Sequence, residues 1–336
     1  MIKNINRISK LGLGLYLGEE SVETDERILE VMQFALDQGI LVFDCAPSYR
    51  NLRSEKLLGD LLQRNPEKDV IISTKGGFVP FDFKQGIESE IQYVRRLIER
   101  GLIREELFDQ EHFQTFDFNY LDYMLTNTLL VLNRKYADIY YLHNPEYFLE
   151  RVGRPMFLNV MKSVFLWLRD QLQSGRIGSF GISSWNGFFN DKVESSLQLE
   201  EFYRLAKEIG IEHDFSFIQI PFNFLQTQGL FFKNQSYENE KFSLIRLAKR
   251  LGISIISSAP LGQGRLLKYK FPVKVKNIFS GMSASQTNLS FVLSTPGITC
   301  TLVGTTSLEH FKEAASIYCD QQYGEQRFID TILSKL

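Results

Sequence analysis

Short apolar runs of three to five residues alternate along this chain with longer segments in which apolar positions recur at three- and four-residue spacing. The first pattern predicts buried strands and the second predicts helices packed on one face. Ile2 to Leu17 reads as strand material punctuated by Gly12, Gly14 and Gly18, followed by a helix capped at Thr24 or Asp25, running to Gln38 and closed by Gly39. Strand Leu41 to Phe43, helix Ser54 to Arg64 and strand Val70 to Thr74 continue the series. After a long polar and aromatic excursion come helix Tyr120 to Leu132, strand Ile139 to Leu142, helix Pro155 to Ser174 and strand Phe180 to Ser183. Helix Leu199 to Ile209, strand Phe217 to Ile220, helix Phe242 to Leu251 and strand Ser254 to Ser257 follow. A helix over Ser285 to Ser294, strand Thr301 to Val303 and a last helix from Ser307 complete it.

About eight strand-then-helix units result, in a chain somewhat longer than the ~250 residues typical of a closed (β/α)8 TIM barrel. One barrel domain over 1–336 is the economical reading. An open doubly wound sheet is the rival, but its Gly-x-Gly-x-x-Gly fingerprint is absent; Leu11-Gly12-Leu13-Gly14 lacks the third glycine. The longest excursions, 76–119, 145–155 and 221–240, all follow strands, which in a barrel places them over one rim.

Composition removes several function classes. With 38 basic against 40 acidic residues, a net charge of −2 and no block of like charge, nothing attracts nucleic acid or an anionic membrane. The 336 residues contain no window of 18 uncharged apolar residues and no signal-peptide pattern. Three cysteines (Cys45, Cys300, Cys319) without a Cys-x-x-Cys pair argue against a disulfide framework or a zinc site, so no metal is expected and a reducing, cytoplasmic setting fits. Small molecules are the expected partners; oligomeric state is not readable.

Polar residues gather where the predicted strands end. Asp44, Lys75, His143, Ser183, Ser184, Gln219 and Ser258 each occupy the last residue or two of an apolar strand, or follow it directly, which in a barrel puts them on one ring around one mouth. Each has an ordinary structural explanation alone; together they make a site. Tyr49 stands five residues after Asp44. A tyrosine is a poor acid or base near neutrality, but an adjacent ammonium stabilises the phenolate and lowers its pKa, and Lys75 can supply one. Asp44 would keep that lysine charged and oriented while His143 donates to a carbonyl oxygen. This chemistry suits carbonyl reduction and requires a nicotinamide as hydride source.

The motifs Leu11-Gly-Leu-Gly14, Phe43-Asp-Cys-Ala-Pro-Ser-Tyr49, Ser54-Glu-Lys-Leu-Leu-Gly59, Ile71-Ile-Ser-Thr-Lys75, Asp138-Ile-Tyr-Tyr-Leu-His143, Gly181-Ile-Ser-Ser184, Ala259-Pro-Leu-Gly262 and Leu302-Val-Gly304, in this order, make the chain resemble the aldo-keto reductases. His143-Asn-Pro-Glu146 suggests a subfamily. The resemblance implies an NAD(P)-dependent enzyme interconverting an aldehyde or ketone, such as a sugar or a biosynthetic intermediate, with an alcohol. Asp44, Tyr49, Lys75 and His143 would form its catalytic tetrad, with Tyr49 as general acid in reduction. It implies that Ser183, Ser184 and Gln219 hold the nicotinamide carboxamide, and that Ser258 replaces the usual stacking aromatic. Leu261, Gly262 and Gln263 would line the pyrophosphate path. Gly304, Thr305, Thr306, His310 and Glu313 would meet the adenosine end, where the cations that grip a 2′-phosphate in NADP-selective relatives are missing. Weakened NADP preference, with use of NAD, is the expectation. Tyr16 and Trp185 are candidate substrate contacts, Trp185 alternatively rim packing. Arg50 and Arg53, inserted beside Tyr49, either favour an anionic or polyhydroxylated substrate or face solvent. A nicotinamide-sensing regulatory subunit and a coenzyme-retaining lyase or epimerase are the competing functions.

Overall fold

In the computed structural model, which describes residues 8–81, 89–190 and 192–335, eight parallel strands close on themselves. They are β1 (Leu11–Gly14), β2 (Val42–Asp44), β3 (Ile71–Gly76), β4 (Ala137–His143), β5 (Ile177–Ser183), β6 (Phe215–Pro221), β7 (Ser254–Ser258) and β8 (Ile298–Val303). Each pairs with its sequence neighbours, and β1 pairs with β8 through Leu11 opposite Thr301 and Leu13 opposite Val303. The crossover helices are α1 (Val22–Asp37), α2 (Arg53–Arg64), α3 (Phe118–Val131), α4 (Arg154–Gln173), α5 (Leu199–Ile209), α6 (Leu244–Arg250), α7 (Ala284–Ser294) and α8 (Leu308–Cys319). This is the (β/α)8 barrel that the alternation of patterns predicts.

Several boundaries move for physical reasons. The cap of α1 is Ser21, whose hydroxyl accepts the Thr24 amide at 3.2 Å, so the helix starts before Thr24 and Asp25. Strand material expected over 2–17 reduces to Leu11–Gly14 within the described part, and 1–7 lies outside the described residues. β4 and β5 begin before their apolar runs because polar residues are satisfied inside the wall. Asp138 Oδ2 accepts the Ile72 amide at 2.9 Å, and Ser179 Oγ donates to the Asp138 carbonyl at 2.9 Å. The loop expected over 145–155 contains the helix Pro145–Val152, with Pro145 in the first turn where a missing amide hydrogen costs nothing. The excursion 76–119 carries the helix Glu90–Glu99 and the ribbon Phe108–Asp109 with Gln114–Thr115; 82–88 lies outside the described residues.

The two faces of the wall divide the labour. Outward residues such as Phe180 and Phe215, stacked at 5.3 Å, pack under the helices. Inward residues Val42, Ile71, Ile139, Tyr141, Phe217 and Leu302 fill the barrel. The wall leaves no room at Gly181, where an added Cβ would stand 2.1 Å from the Phe217 carbonyl oxygen and 2.9 Å from the Tyr141 ring. The obstacle is the backbone of the adjacent strand, so Gly181→Ala should lower unfolding free energy by about 3 kcal/mol or more, read as an earlier urea midpoint.

Candidate active site

The period of two along a strand puts 42 and 44, 71, 73 and 75, 139, 141 and 143, 179, 181 and 183, and 217 and 219 on the inward face. On β2, β3, β4 and β6 the apolar residues come first and the polar ones last, so a polar layer lies on top of the apolar filling. Lys75 Nζ donates to Asp44 Oδ2 at 2.6 Å and to the Cys45 carbonyl at 3.1 Å. Asp44 Oδ1 accepts from Ser73 Oγ at 2.6 Å and from Gln219 Nε2 at 2.9 Å, while Ser183 Oγ donates to Gln219 Oε1 at 2.8 Å. A continuous buried network therefore runs across β5, β6, β2 and β3.

Tyr49 reaches this layer from the turn after β2. Lys75 Nζ lies 4.6 Å from the centre of its ring, and the ring meets His143 edge-on at 5.8 Å and Tyr16 at 5.2 Å. His143 is in turn edge-on to Phe78 at 4.8 Å. The turn continues through Arg50, Asn51 and Leu52, all left-handed at φ 51°, 48° and 68°. Side chains without a glycine's freedom adopt this conformation at a cost of roughly 1–2 kcal/mol each, so something must hold it. Arg50 does, donating to the Glu19 carbonyl at 2.7 Å and to Asp25 Oδ1 at 2.5 Å; Arg53 pairs with Asp25 Oδ2, and Asn51 Nδ2 donates to Glu20 at 2.7 Å. Both arginines thus pair with Asp25 of α1, while Arg50 Nη1 is buried without a partner among the described residues.

Burial governs the proton affinities. It pushes the Tyr49 phenol up to about 12, against the opposing pull of Lys75, where the sequence argument expected the lysine to lower it. Removing a phenolate from water costs more than one neighbouring cation returns. Burial also works against the Lys75 charge, but Asp44 and Tyr49 outweigh it and the ammonium is held above its ordinary value. His143 lies well below its ordinary value, from burial first and the Lys75 charge second, so its imidazole is neutral. The set therefore comprises a protonated phenol, an ammonium and a neutral imidazole. Beneath it Glu55, pushed up to about 7 by burial, accepts from Thr74 Oγ1 at 2.7 Å and from Thr128.

The remaining candidates divide. Ser183 and Gln219 join the network, but Ser184 turns away: its hydroxyl donates to Glu146 Oε1 at 3.0 Å and accepts the Gly187 amide at 2.9 Å. Ser258 ends β7, half-buried, and the turn after it runs through left-handed Ala259, Gly262, Gln263 and Gly264, with Leu261 half-buried between them. Asn288 of α7 pins this turn, donating to the Pro260 carbonyl and accepting the Phe224 amide at 2.9 Å. Gly304, Thr305 and Thr306 lead into α8, where Ser307 is the cap and its amide donates to Thr305 Oγ1 at 3.1 Å. His310 is exposed in the first turn, and Glu313 accepts from Ser283 Oγ at 2.5 Å. Tyr16 is exposed against Tyr49, and Trp185 lines a neighbouring cavity. In the excursion, Phe116 and Tyr120 are buried packing, Phe116 against Phe148 at 5.7 Å, while His112 stacks on Tyr147 at 4.2 Å.

Sequence reasoning missed Ser73, Glu146 and Asn288. Ser73 was findable, standing two residues before Lys75 on the same strand face. Glu146 closes the His143-Asn-Pro-Glu146 motif, whose oddity was the signal: its Oε1 collects the Ser184 hydroxyl and the Trp185 and Asn186 amides, at 3.0, 2.8 and 3.2 Å.

In this closed parallel barrel the buried ionisable groups gather at the carboxyl ends of the strands, the rim on which such barrels carry their sites. Residues 10–327 match the Aldo/keto reductase family, and the chain belongs to that family. It is 26% identical over 265 residues to a probable aldo-keto reductase 1 of Glycine max, covering 76% of this chain and 57% of that one. It is 26% identical over 163 residues to an L-galactose dehydrogenase of Arabidopsis thaliana, covering 46% of this chain and 45% of that one, so the chain spans about half the length of these relatives. In fold it is similar to an aldo-keto reductase of Klebsiella pneumoniae solved in complex with NADPH, with TM-score 0.60, 17% identity, and 93% and 85% of the two chains covered. Among the described residues no helix is long and apolar enough to cross a membrane.

Proposed function

We propose that this protein is an NAD(P)-dependent oxidoreductase interconverting an aldehyde or ketone with an alcohol, with Tyr49 as its proton donor and acceptor. The observation that carries the reading is the fully buried Lys75 ammonium, bonded to Asp44 and set 4.6 Å from the Tyr49 ring. The donor set fits a dinucleotide. Ser183 and Gln219, inward on β5 and β6 and bonded to each other, would hold the carboxamide; the Ser184 hydroxyl bonds instead to Glu146 and the Gly187 amide. The turn over 259–264 and the start of α8 would lie along the phosphates, a helix N-terminus being suited to that role. A bound nicotinamide supplies hydride in reduction and accepts it in oxidation.

In reduction Tyr49 gives its proton to the substrate oxygen as negative charge develops there, and neutral His143 donates a hydrogen bond to the same oxygen. Lys75 stabilises the phenolate left behind, and Asp44 keeps the lysine charged and aimed. Oxidation runs the proton the other way. A carbonyl screen followed at the nicotinamide absorbance, with NADH and NADPH titrated separately, tests the reading. Binding of neither nucleotide would end it. No Lys or Arg occupies 304–310, so we infer Kd values for the two coenzymes within about tenfold of one another, a full cation on the 2′-phosphate being what separates them.

The phenol's affinity sets the pH dependence. A group pushed up to about 12 keeps its proton below that pH and loses it only above. Reduction should therefore hold level from about pH 6 to 9, while oxidation, which needs the phenolate, should rise nearly tenfold per pH unit over the same range. Paired pH profiles of kcat/KM in the two directions check this.

A further inference from the structure

His143 stands where the wall of the barrel stops. β3 and β4 pair as far as Gly76 opposite Leu142, so His143 lies one residue beyond the last pair between these strands. The next residue, Asn144, turns the chain in a left-handed conformation at φ 49°, and on the β5 side its amide donates to the Ser183 carbonyl at 2.7 Å. Among the described residues no hydrogen bond holds the imidazole itself; two rings meet it edge-on, Tyr49 at 5.8 Å and Phe78 at 4.8 Å. The direction of the imidazole is therefore set by those rings and by the backbone that carries it.

That backbone is held by a distant part of the chain. Gln114, fully buried in the ribbon Phe108–Asp109 with Gln114–Thr115, donates through Nε2 to the His143 carbonyl at 2.8 Å and to the Asn144 carbonyl at 3.1 Å. Both amide hydrogens are thus used on the two peptide units that flank Asn144. The orientation is forced, because the flipped amide would set its oxygen against two carbonyl oxygens. Gln114 Oε1 is buried with no hydrogen-bond partner among the described residues, a state in which buried polar atoms are seldom left. The ribbon is itself fixed to the segment after β3. Gln114 bridges Phe78 in antiparallel fashion, the Val79 amide donates to the Phe113 carbonyl and the Thr115 amide to the Gly77 carbonyl, both at 2.8 Å. Gly77, at φ 138°, permits the close passage, since an added Cβ would stand 3.2 Å from the His143 carbonyl oxygen. The excursion therefore meets His143 twice, with the Phe78 ring on its imidazole and the Gln114 amide on its carbonyl.

We propose that Gln114 is a positioning residue for His143: its two hydrogen bonds fix the peptide units around Asn144, and with them the point and angle at which the imidazole is presented to the substrate oxygen. The proposal rests on the oxidoreductase reading above and extends its machinery to the ribbon of the long excursion after β3.

The test is a double-variant cycle read both in turnover and in the imidazole signals. Gln114→Met keeps the length of the side chain and removes both donors; it should lower kcat for carbonyl reduction about tenfold with the coenzyme Kd within about twofold. In a His143→Ala background the same change should lower kcat by less than about twofold, because a residue that acts through His143 has nothing left to act on. A residue that only supports the fold would lower it by the same factor in both. Gln114→Glu, protonated where it faces two carbonyl oxygens, keeps one donor and should lose about threefold; it carries the cycle if the methionine variant does not fold. Magnetic resonance of the imidazole nitrogens needs no substrate. The His143 signals, assigned by their loss in His143→Ala, should form a single set in the native protein and should shift or broaden in the Gln114 variants, while those of His213 and His310 stay in place. Equal loss of kcat in both backgrounds, or His143 signals unmoved by the substitutions, overturns the proposal. Native protein that turns over no carbonyl, but whose His143 signals move in the variants, leaves the positioning contact standing and removes the oxidoreductase reading. Turnover by the native protein with unmoved signals does the reverse.

Discussion

Tyr49→Phe is expected to lower kcat for carbonyl reduction about a thousandfold, within the range by which positioned acids accelerate proton transfer, while the coenzyme Kd stays within about twofold. The substitution removes one hydroxyl and leaves the ring, so the edge contacts with His143 and Tyr16 and the Lys75 ammonium over the ring persist. Loss of turnover with intact binding isolates the proton step. Burst kinetics and coenzyme fluorescence titration measure the two quantities separately, and undiminished turnover would sink the proposed role. Because His143 is neutral and still donates to the oxygen, a residual rate above background is also expected.

Asp44→Ala should be felt in stability as strongly as in rate. Lys75 is wholly buried and its charge is answered by Asp44 at 2.6 Å, so removing the carboxylate leaves an uncompensated cation inside the barrel. Breaking a buried pair in this way costs about 3–5 kcal/mol. Two further donors, Ser73 and Gln219, lose the same acceptor. Adding Lys75→Met removes the stranded charge, and the double variant should recover about half or more of the lost unfolding free energy while remaining inactive. Urea denaturation of the two single variants and the double variant completes the cycle. A double variant no more stable than Asp44→Ala would show that the ion pair is not what the carboxylate contributes.

The fold was legible because parallel strands buried on both faces leave continuous apolar runs, and the inward alternation set Asp44, Lys75 and His143 at the ends of those runs. The ring of polar residues needed only strand order and a period of two. What stayed hidden depends on contacts across distant parts of the chain. Ser184 reads as a coenzyme ligand in the sequence, which gives no sign that Glu146, from the segment after the preceding strand and next to Asn144 in a left-handed region at φ 49°, accepts its hydroxyl. Arg50 and Arg53 read as substrate cations or as solvated side chains, and only the fold shows that α1 brings Asp25 to them. The direction of the Tyr49 shift depended on total burial, which no local motif reports.

The Asp25 clamp has a bearing on how the chain can be cut and rejoined. Tyr49 belongs by sequence to the second strand unit, yet the turn that carries it is fastened to the loop and helix of the first through Glu19, Glu20 and Asp25. Fragments divided between β1 and α1 could re-form the wall of the barrel by strand pairing alone, but the proton donor would be set only once residues 19–25 had docked. A chain cut or rejoined within Gly18–Ser21 would therefore be expected to loosen the segment that holds the Tyr49 turn while leaving the strands of the wall intact.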